Sequence, residues 1–196
     1  MFKTAFITIL GLPNAGKSTF LNAALGEDLV ITNPKAQTTR HRIKGILNEK
    51  GYQLIFSDTP GVIDDSAYML QDAMMGAVRE SLEDVDILLL MLDGQYPKVE
   101  TFEAYKNQVK CPIVAVMNKA DLVTDQEQLQ ADITKVKEYL GTEHVYAASA
   151  KEIFNIDGII KTLVELSPEH PAFYDTDSIS DENVRFLVGE MVREQI

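Results

Sequence analysis

Eight residues near the start of the chain restrict its fold more than any other feature. Gly11-Leu12-Pro13-Asn14-Ala15-Gly16-Lys17-Ser18 fits G-x-x-x-x-G-K-[ST] at every specified position. The apolar run Ala5-Phe6-Ile7-Thr8-Ile9-Leu10 precedes it, and Thr19 to Leu25 reads as a helix. Such a loop needs a strand to deliver it and a helix N-terminus to follow it, because several backbone N–H groups must converge on one anion. An α/β protein with a phosphate site after its first strand is therefore expected. Asn14, Ala15, Gly16, Lys17, Ser18 and Thr19 are the candidate nucleotide-binding residues of this loop. Lys17 is suited to the β- and γ-phosphates, and the Ser18 hydroxyl to Mg²⁺. The loop alone separates neither ATP from GTP nor a hydrolase from a kinase.

Beyond the loop, short apolar runs alternate with helix-length segments. Strands are expected near 4–10, 42–49, 52–58, 86–92, 112–117 and 144–148. The second and third are separated only by the turn at Lys50-Gly51, too short for a crossover, so that pair should be an antiparallel hairpin. The others should be parallel. Thr124 or Asp125 can cap a helix through Leu140 that Gly141 ends. A last helix should run from Asn155 to Leu166, before Pro168. A linker follows over 167–180. From Ser180 or Asp181 the residues Val184, Leu187, Val188, Met191 and Val192 form a helical stripe that is still running at Ile196. Such an amphipathic helix needs a cover, so the chain is expected to be the front part of a longer protein, the alternative being a C-terminal helix that docks on its own domain.

Three further motifs fall at strand ends. Asp58-Thr59-Pro60-Gly61 follows the third strand. A carboxylate there can hold a magnesium-bound water, and the Gly61 N–H can approach a γ-phosphate. Between this motif and the phosphate loop, a threonine of 33–42 can complete the magnesium shell, with Thr39 favoured over Thr38. Asn118-Lys119-Ala120-Asp121 follows the fifth strand. The Asp121 carboxylate can accept from guanine's ring N–H and amine. Adenine offers no such pair, which implies GTP over ATP by on the order of a hundredfold. After the sixth strand, backbone N–H groups of Ser149-Ala150-Lys151 can meet the guanine oxygen, and the stems of Lys119 and Lys151 can sandwich the base. In a parallel sheet all these ends open on one crevice.

Composition narrows the partners. The net charge of -12 and pI near 4.6 oppose nucleic-acid binding by the average surface. The local basic stretch Lys35, Arg40, His41, Arg42 and Lys44 reads as a solvated loop and strand edge, or alternatively as a contact surface for RNA or a partner. Cys111 cannot form an internal disulfide, so a reducing cytoplasm is expected. The three histidines lack ligand spacing.

This ordered motif set resembles the translation-factor-like P-loop GTPases. The string Pro34-Lys35-Ala36-Gln37-Thr38-Thr39-Arg40-His41-Arg42-Ile43 narrows the resemblance to the Era family of bacterial GTPases. The stretch from Ser180-Asp181-Glu182-Asn183 to Glu194 resembles the opening helix of that family's KH-type RNA-binding domain. The resemblance implies a Ras-like P-loop GTPase fold: a six-stranded, mostly parallel sheet with one antiparallel strand and helices on both faces. It implies a GTPase domain over 1–168, and a linker with the first KH helix over 169–196. It further implies GTP hydrolysis with Lys17, Thr39, Asp58 and Gly61 as the catalytic set, and Mg²⁺ held by Ser18, Thr39 and, through water, Asp58. The implied partners are GTP and GDP, and, through a whole KH domain, 16S rRNA and the maturing 30S subunit. Peripheral association with the inner membrane face is also implied. The G-x-x-G loop of a KH domain does not occur here, so tight RNA binding by this stretch alone is not expected. Where Ras-like proteins place a water-orienting glutamine, this chain has Val62. The family suggests instead that Asn14 ligates a K⁺ ion near the phosphates. The competing readings are a GTP-dependent assembly or binding module with incidental hydrolysis, and a sister GTPase of tRNA modification or 50S assembly.

Overall fold

The computed structural model describes residues 1–29, 43–59, 82 and 85–180. They form a six-stranded sheet from β1 (Lys3–Gly11), β2 (Ile43–Glu49), β3 (Tyr52–Asp58), β4 (Ile87–Asp93), β5 (Ile113–Asn118) and β6 (Val145–Ala147), in the order β2-β3-β1-β4-β5-β6. All neighbours are parallel except the β2–β3 hairpin. Among the described residues the α-helices are α1 (Lys17–Leu25), α2 (Glu103–Lys106), α3 (Gln126–Leu140) and α4 (Ile156–Leu166).

Strand periodicity sorts the core into two layers. Ile87, Leu89 and Met91 of β4 join Ala5, Ile7 and Ile9 of β1 in a cluster closed by Phe20 and Leu21 of α1 and Ile159 and Leu163 of α4. Their alternates Leu88, Leu90 and Leu92 lie in a second cluster with Ala115, Met117 and the α3 residues Leu129, Val136 and Leu140. Helices therefore cover both faces, which explains why β1, β4 and β5 are near-continuous apolar runs. Phe102 and Val99 also fill the second cluster from a 3₁₀ turn at Val99–Phe102 that leads into α2. The sequence offered no period for that segment, because one turn is too short to show one.

Of the two candidate caps for α3, Asp125 is used: its side chain accepts from the Gln128 N–H at 2.9 Å. Gly141 ends the helix in the left-handed region.

The expected linker is bound to the domain along much of its described length. The Thr4 N–H donates to Pro168 O at 3.1 Å, and the His170 N–H to Phe2 O at 3.1 Å. Phe173 lies 4.9 Å from the Phe6 ring. Further on, Ser180 forms an antiparallel bridge with Gly45, and the Ile46 N–H donates to Ile179 O at 2.9 Å. The segment thus shields the outer edge of β2. Lys44, the one described member of the basic stretch, donates to the Tyr174 hydroxyl at 3.3 Å. The fully buried Gln53 is the anchor: its Oε1 accepts from the Phe173 and Tyr174 N–H groups at 2.8 and 3.0 Å. Its Nε2 donates to Tyr174 O at 2.9 Å and Asn48 Oδ1 at 2.6 Å. The helix expected from Asp181 onward lies outside the described residues.

Gln53→Ala strands these backbone groups without adding a partner. We expect a loss of about 2–4 kcal/mol of unfolding free energy, read from urea denaturation.

Candidate functional site

The end of β1 sits between β3 and β4, where the chain order of the sheet reverses. Crevices of open α/β sheets form at such switch points. Gly11, Asp58, Asp93, Asn118 and Ala147 all lie at the same C-terminal edge, fixed by the register pairs Ile9–Asp58, Gly11–Met91, Asp93–Asn118 and Met117–Ala147.

At the phosphate end, Asn14 takes a left-handed conformation (φ 60°), as does Gly16 (φ 90°), which caps α1. A Cβ at Gly16 would lie 2.1 Å from Asn118 Nδ2, so this glycine is required for space as well as for φ. The Lys17 ammonium is folded onto the loop, donating to Gly11 O at 3.1 Å and Leu12 O at 3.0 Å. Burial lowers its pKa to about 8, with the Asp58 charge opposing the shift. The Ser18 hydroxyl donates to Asp58 Oδ2 at 2.7 Å. A hydroxyl and a carboxylate meeting beside a phosphate loop are a hard-oxygen donor set suited to a magnesium that keeps waters and phosphate as its other ligands. Thr59, buried, donates to Ile9 O at 2.7 Å and ties this carboxylate's segment to β1.

The base end is joined to the phosphate end by one side chain. Asn118 is 3% exposed. Its Nδ2 donates to Ala15 O of the phosphate loop at 2.9 Å, and its Oδ1 accepts from the Ala150 N–H at 2.9 Å. Lys119 is left-handed (φ 61°) and its ammonium pairs with Asp93 Oδ2 at 2.7 Å. Asp121 follows on an exposed 3₁₀ turn, Ala120–Leu122. The Ser149 N–H is engaged by Phe154 O at 3.2 Å. Of the three N–H groups offered to a guanine oxygen, those of Ser149 and Ala150 are thus already bonded within the protein. The Lys151 side chain is exposed, 3.6 Å from Glu152. The closing turn holds Ile153 at φ 53° with its side chain in solvent, a costly conformation for a β-branched residue.

The structure therefore gathers Asn14, Ala15, Gly16, Lys17, Ser18, Thr19, Asp58, Asn118, Lys119, Asp121, Ser149, Ala150 and Lys151 along one sheet edge. Thr39, Thr38, Gly61 and Val62 lie outside the described residues, as do Lys35, Arg40, His41 and Arg42. Sequence reasoning missed Thr59's tie to β1 and Asp93. The latter had a readable signal, a carboxylate at a strand end like Asp58, but its partner came from a distant loop.

Strand, phosphate loop, metal-type pair and guanine-type reader in this order define a P-loop GTPase. Residues 6–119 match the family model described as 50S ribosome-binding GTPase. A structure of Era in complex with MgGDPNP and nucleotides 1506–1542 of 16S ribosomal RNA is similar at a TM-score of 0.93 and 31% identity, covering 100% of this chain and 67% of that one. A variant of Aquifex aeolicus Era bound to GDP and AlF4⁻ gives 0.90 and 33%, covering 99% and 67%. The chain belongs to the Era family of GTPases. The FeoB G-domain from Methanococcus jannaschii, at 0.60 and 23% over 84% of this chain and 98% of that one, shares the fold.

The depressed Lys17 pKa gives a pH signature. Phosphate oxygens beside the ammonium raise its pKa again, so the nucleotide complex keeps a proton that the free protein loses above about pH 8. GDP affinity should be full below that pH and fall above it, by up to about tenfold per pH unit. Calorimetric titrations across this range check it. Lys17→Met should bind weakly and without the slope.

Proposed function

We propose that this chain is a Mg²⁺-dependent GTP-binding and GTP-hydrolysing switch. As part of a whole protein with an RNA-binding domain, it would act on 16S rRNA and assist 30S subunit maturation. The observation that carries the GTP reading is the Asn118 carboxamide, bonded at 2.9 Å to both the phosphate loop and the Ser149-Ala150-Lys151 loop. A ligand gripped at the phosphates is thereby read at the base. The rRNA reading is supported by likeness over the whole chain to the Era bound to 16S ribosomal RNA.

In the reaction, water attacks the γ-phosphorus as its bond to the bridging oxygen breaks, giving GDP, phosphate and a proton. Lys17 and the loop N–H groups stabilise charge on the phosphate oxygens. Ser18, and Asp58 through water, would hold Mg²⁺, which neutralises the β- and γ-oxygens when bound. Thr39 and the Gly61 N–H are the proposed γ-phosphate sensors. Val62 can orient no water, so turnover without a partner should be slow, ~10⁻⁴ to 10⁻² s⁻¹. K⁺ at Asn14 is the proposed substitute for an arginine finger, and peripheral membrane association remains part of the proposal for the whole protein.

A pure binding module is the second reading, suggested by the absence of a water-orienting side chain at Val62. Multiple-turnover phosphate release with GTP separates the two: release that EDTA abolishes is expected, and none above background would favour the module. Turnover should be faster in K⁺ than in Na⁺, and equal rates would remove Asn14 from that role. GTP should be preferred to ATP by on the order of a hundredfold, and Asp121→Asn should shift preference towards xanthine nucleotides. An unchanged preference would show that Asp121 does not read the base.

A further inference from the structure

A turn outside the recognised motifs braces the base reader at three points. The Gly94 N–H donates to Asn118 O at 2.7 Å, and a Cβ at Gly94 would sit 2.7 Å from the same oxygen, so only glycine permits the approach. Gln95 Nε2 donates to Leu122 O at 3.3 Å. Between them, Asp93 Oδ2 holds the Lys119 ammonium at 2.7 Å. The carboxylate is itself oriented, because its Oδ1 accepts from the Gln95 N–H at 2.9 Å. Asp93 and Lys119 line a cavity of about 180 Å³ together with Asn14 and Ala15 of the phosphate loop.

We propose that Asp93 is a positioning residue for the nucleotide base. Its carboxylate fixes the end of the Lys119 side chain, so that the four-carbon stem is already held along the crevice wall and packs against the guanine plane with little further loss of rotamer freedom on binding. The side chains are 31% and 28% exposed, so solvent screens the pair only in part. The other candidate base-flanking lysine is a contrast: Lys151 is 81% exposed and 3.6 Å from Glu152. The preorganised wall is thus on the Lys119 side. The proposal rests on the GTP reading of the site.

Asp93→Asn keeps the shape and the Gln95 contact but removes the charge. It should raise KM for GTP and Kd for GDP about five- to tenfold with kcat unchanged, because a ring-face contact is uniform binding. Inosine diphosphate should lose the same factor, since the stem touches the ring and not its edge. Asp93→Glu should restore part of the affinity. In a Lys119→Met background, Asp93→Asn should add nothing, the mark of two residues acting as one unit. Melting curves without nucleotide verify that each variant is folded, and Asp93→Ser repeats the test should Asn disturb the turn. An unchanged or lower KM, a fall in kcat, or additive losses in the double variant would overturn the proposal. If the wild type binds GDP and ADP alike, the guanine reading fails and takes this proposal with it. Selectivity for GDP with an indifferent Asp93→Asn removes this proposal alone.

Discussion

A buried primary amide has a donor and an acceptor that must both find partners, and in this protein those partners lie on two loops far apart in sequence. Asn118 satisfies Ala15 O with one atom and the Ala150 N–H with the other. Asn118 is only 3% exposed, so the cost of leaving either group unpaired fixes the separation of the two loops. Gly16 has no room for a side chain because this amide fills it. The phosphate loop and the loop after β6 are consequently tied together through one side chain.

The chain carries -12 overall, and the cations of the crevice are each set against a carboxylate: Lys17 feels the Asp58 charge, and Lys119 pairs with Asp93 at 2.7 Å. Lys17 is kept from bulk water, and its two carbonyl partners, Gly11 O and Leu12 O, belong to the loop that must release it towards a phosphate. Burial makes the charge expensive without an anion and effective with one. The Ser18 hydroxyl and Asp58 Oδ2, 2.7 Å apart, bring the start of α1 and the end of β3 together beside the phosphate loop.

On the far side of the sheet, the 167–180 segment gives β2 a covered edge and is anchored through Gln53. β2 begins at Ile43, directly after the segment proposed to sense the γ-phosphate, and Ser180 bridges to Gly45. The C-terminal segment and the strand leaving the sensor are therefore joined by backbone pairing, a physical connection between the nucleotide end of β2 and whatever follows residue 180.

The sequence by itself determined the six strands to within a residue or two, the hairpin, the α3 and α4 helices, and the loops that converge at one edge. These rest on local chemistry: apolar runs, glycine turns, an Asp cap, and motifs whose spacing is imposed by a phosphate or a base. What the tertiary structure decided involves contacts between residues far apart in the chain. Lys119 and Asp93 became an ion pair because parallel register aligned the ends of β4 and β5. The Ser149 and Ala150 N–H groups were drawn into internal bonds by Phe154 and Asn118. The polar stretch after Leu166 became a bound strap because a buried glutamine on β3 needed partners. Local pattern reveals which groups a segment carries, but the partner of a buried polar group is chosen by the packing of the whole sheet.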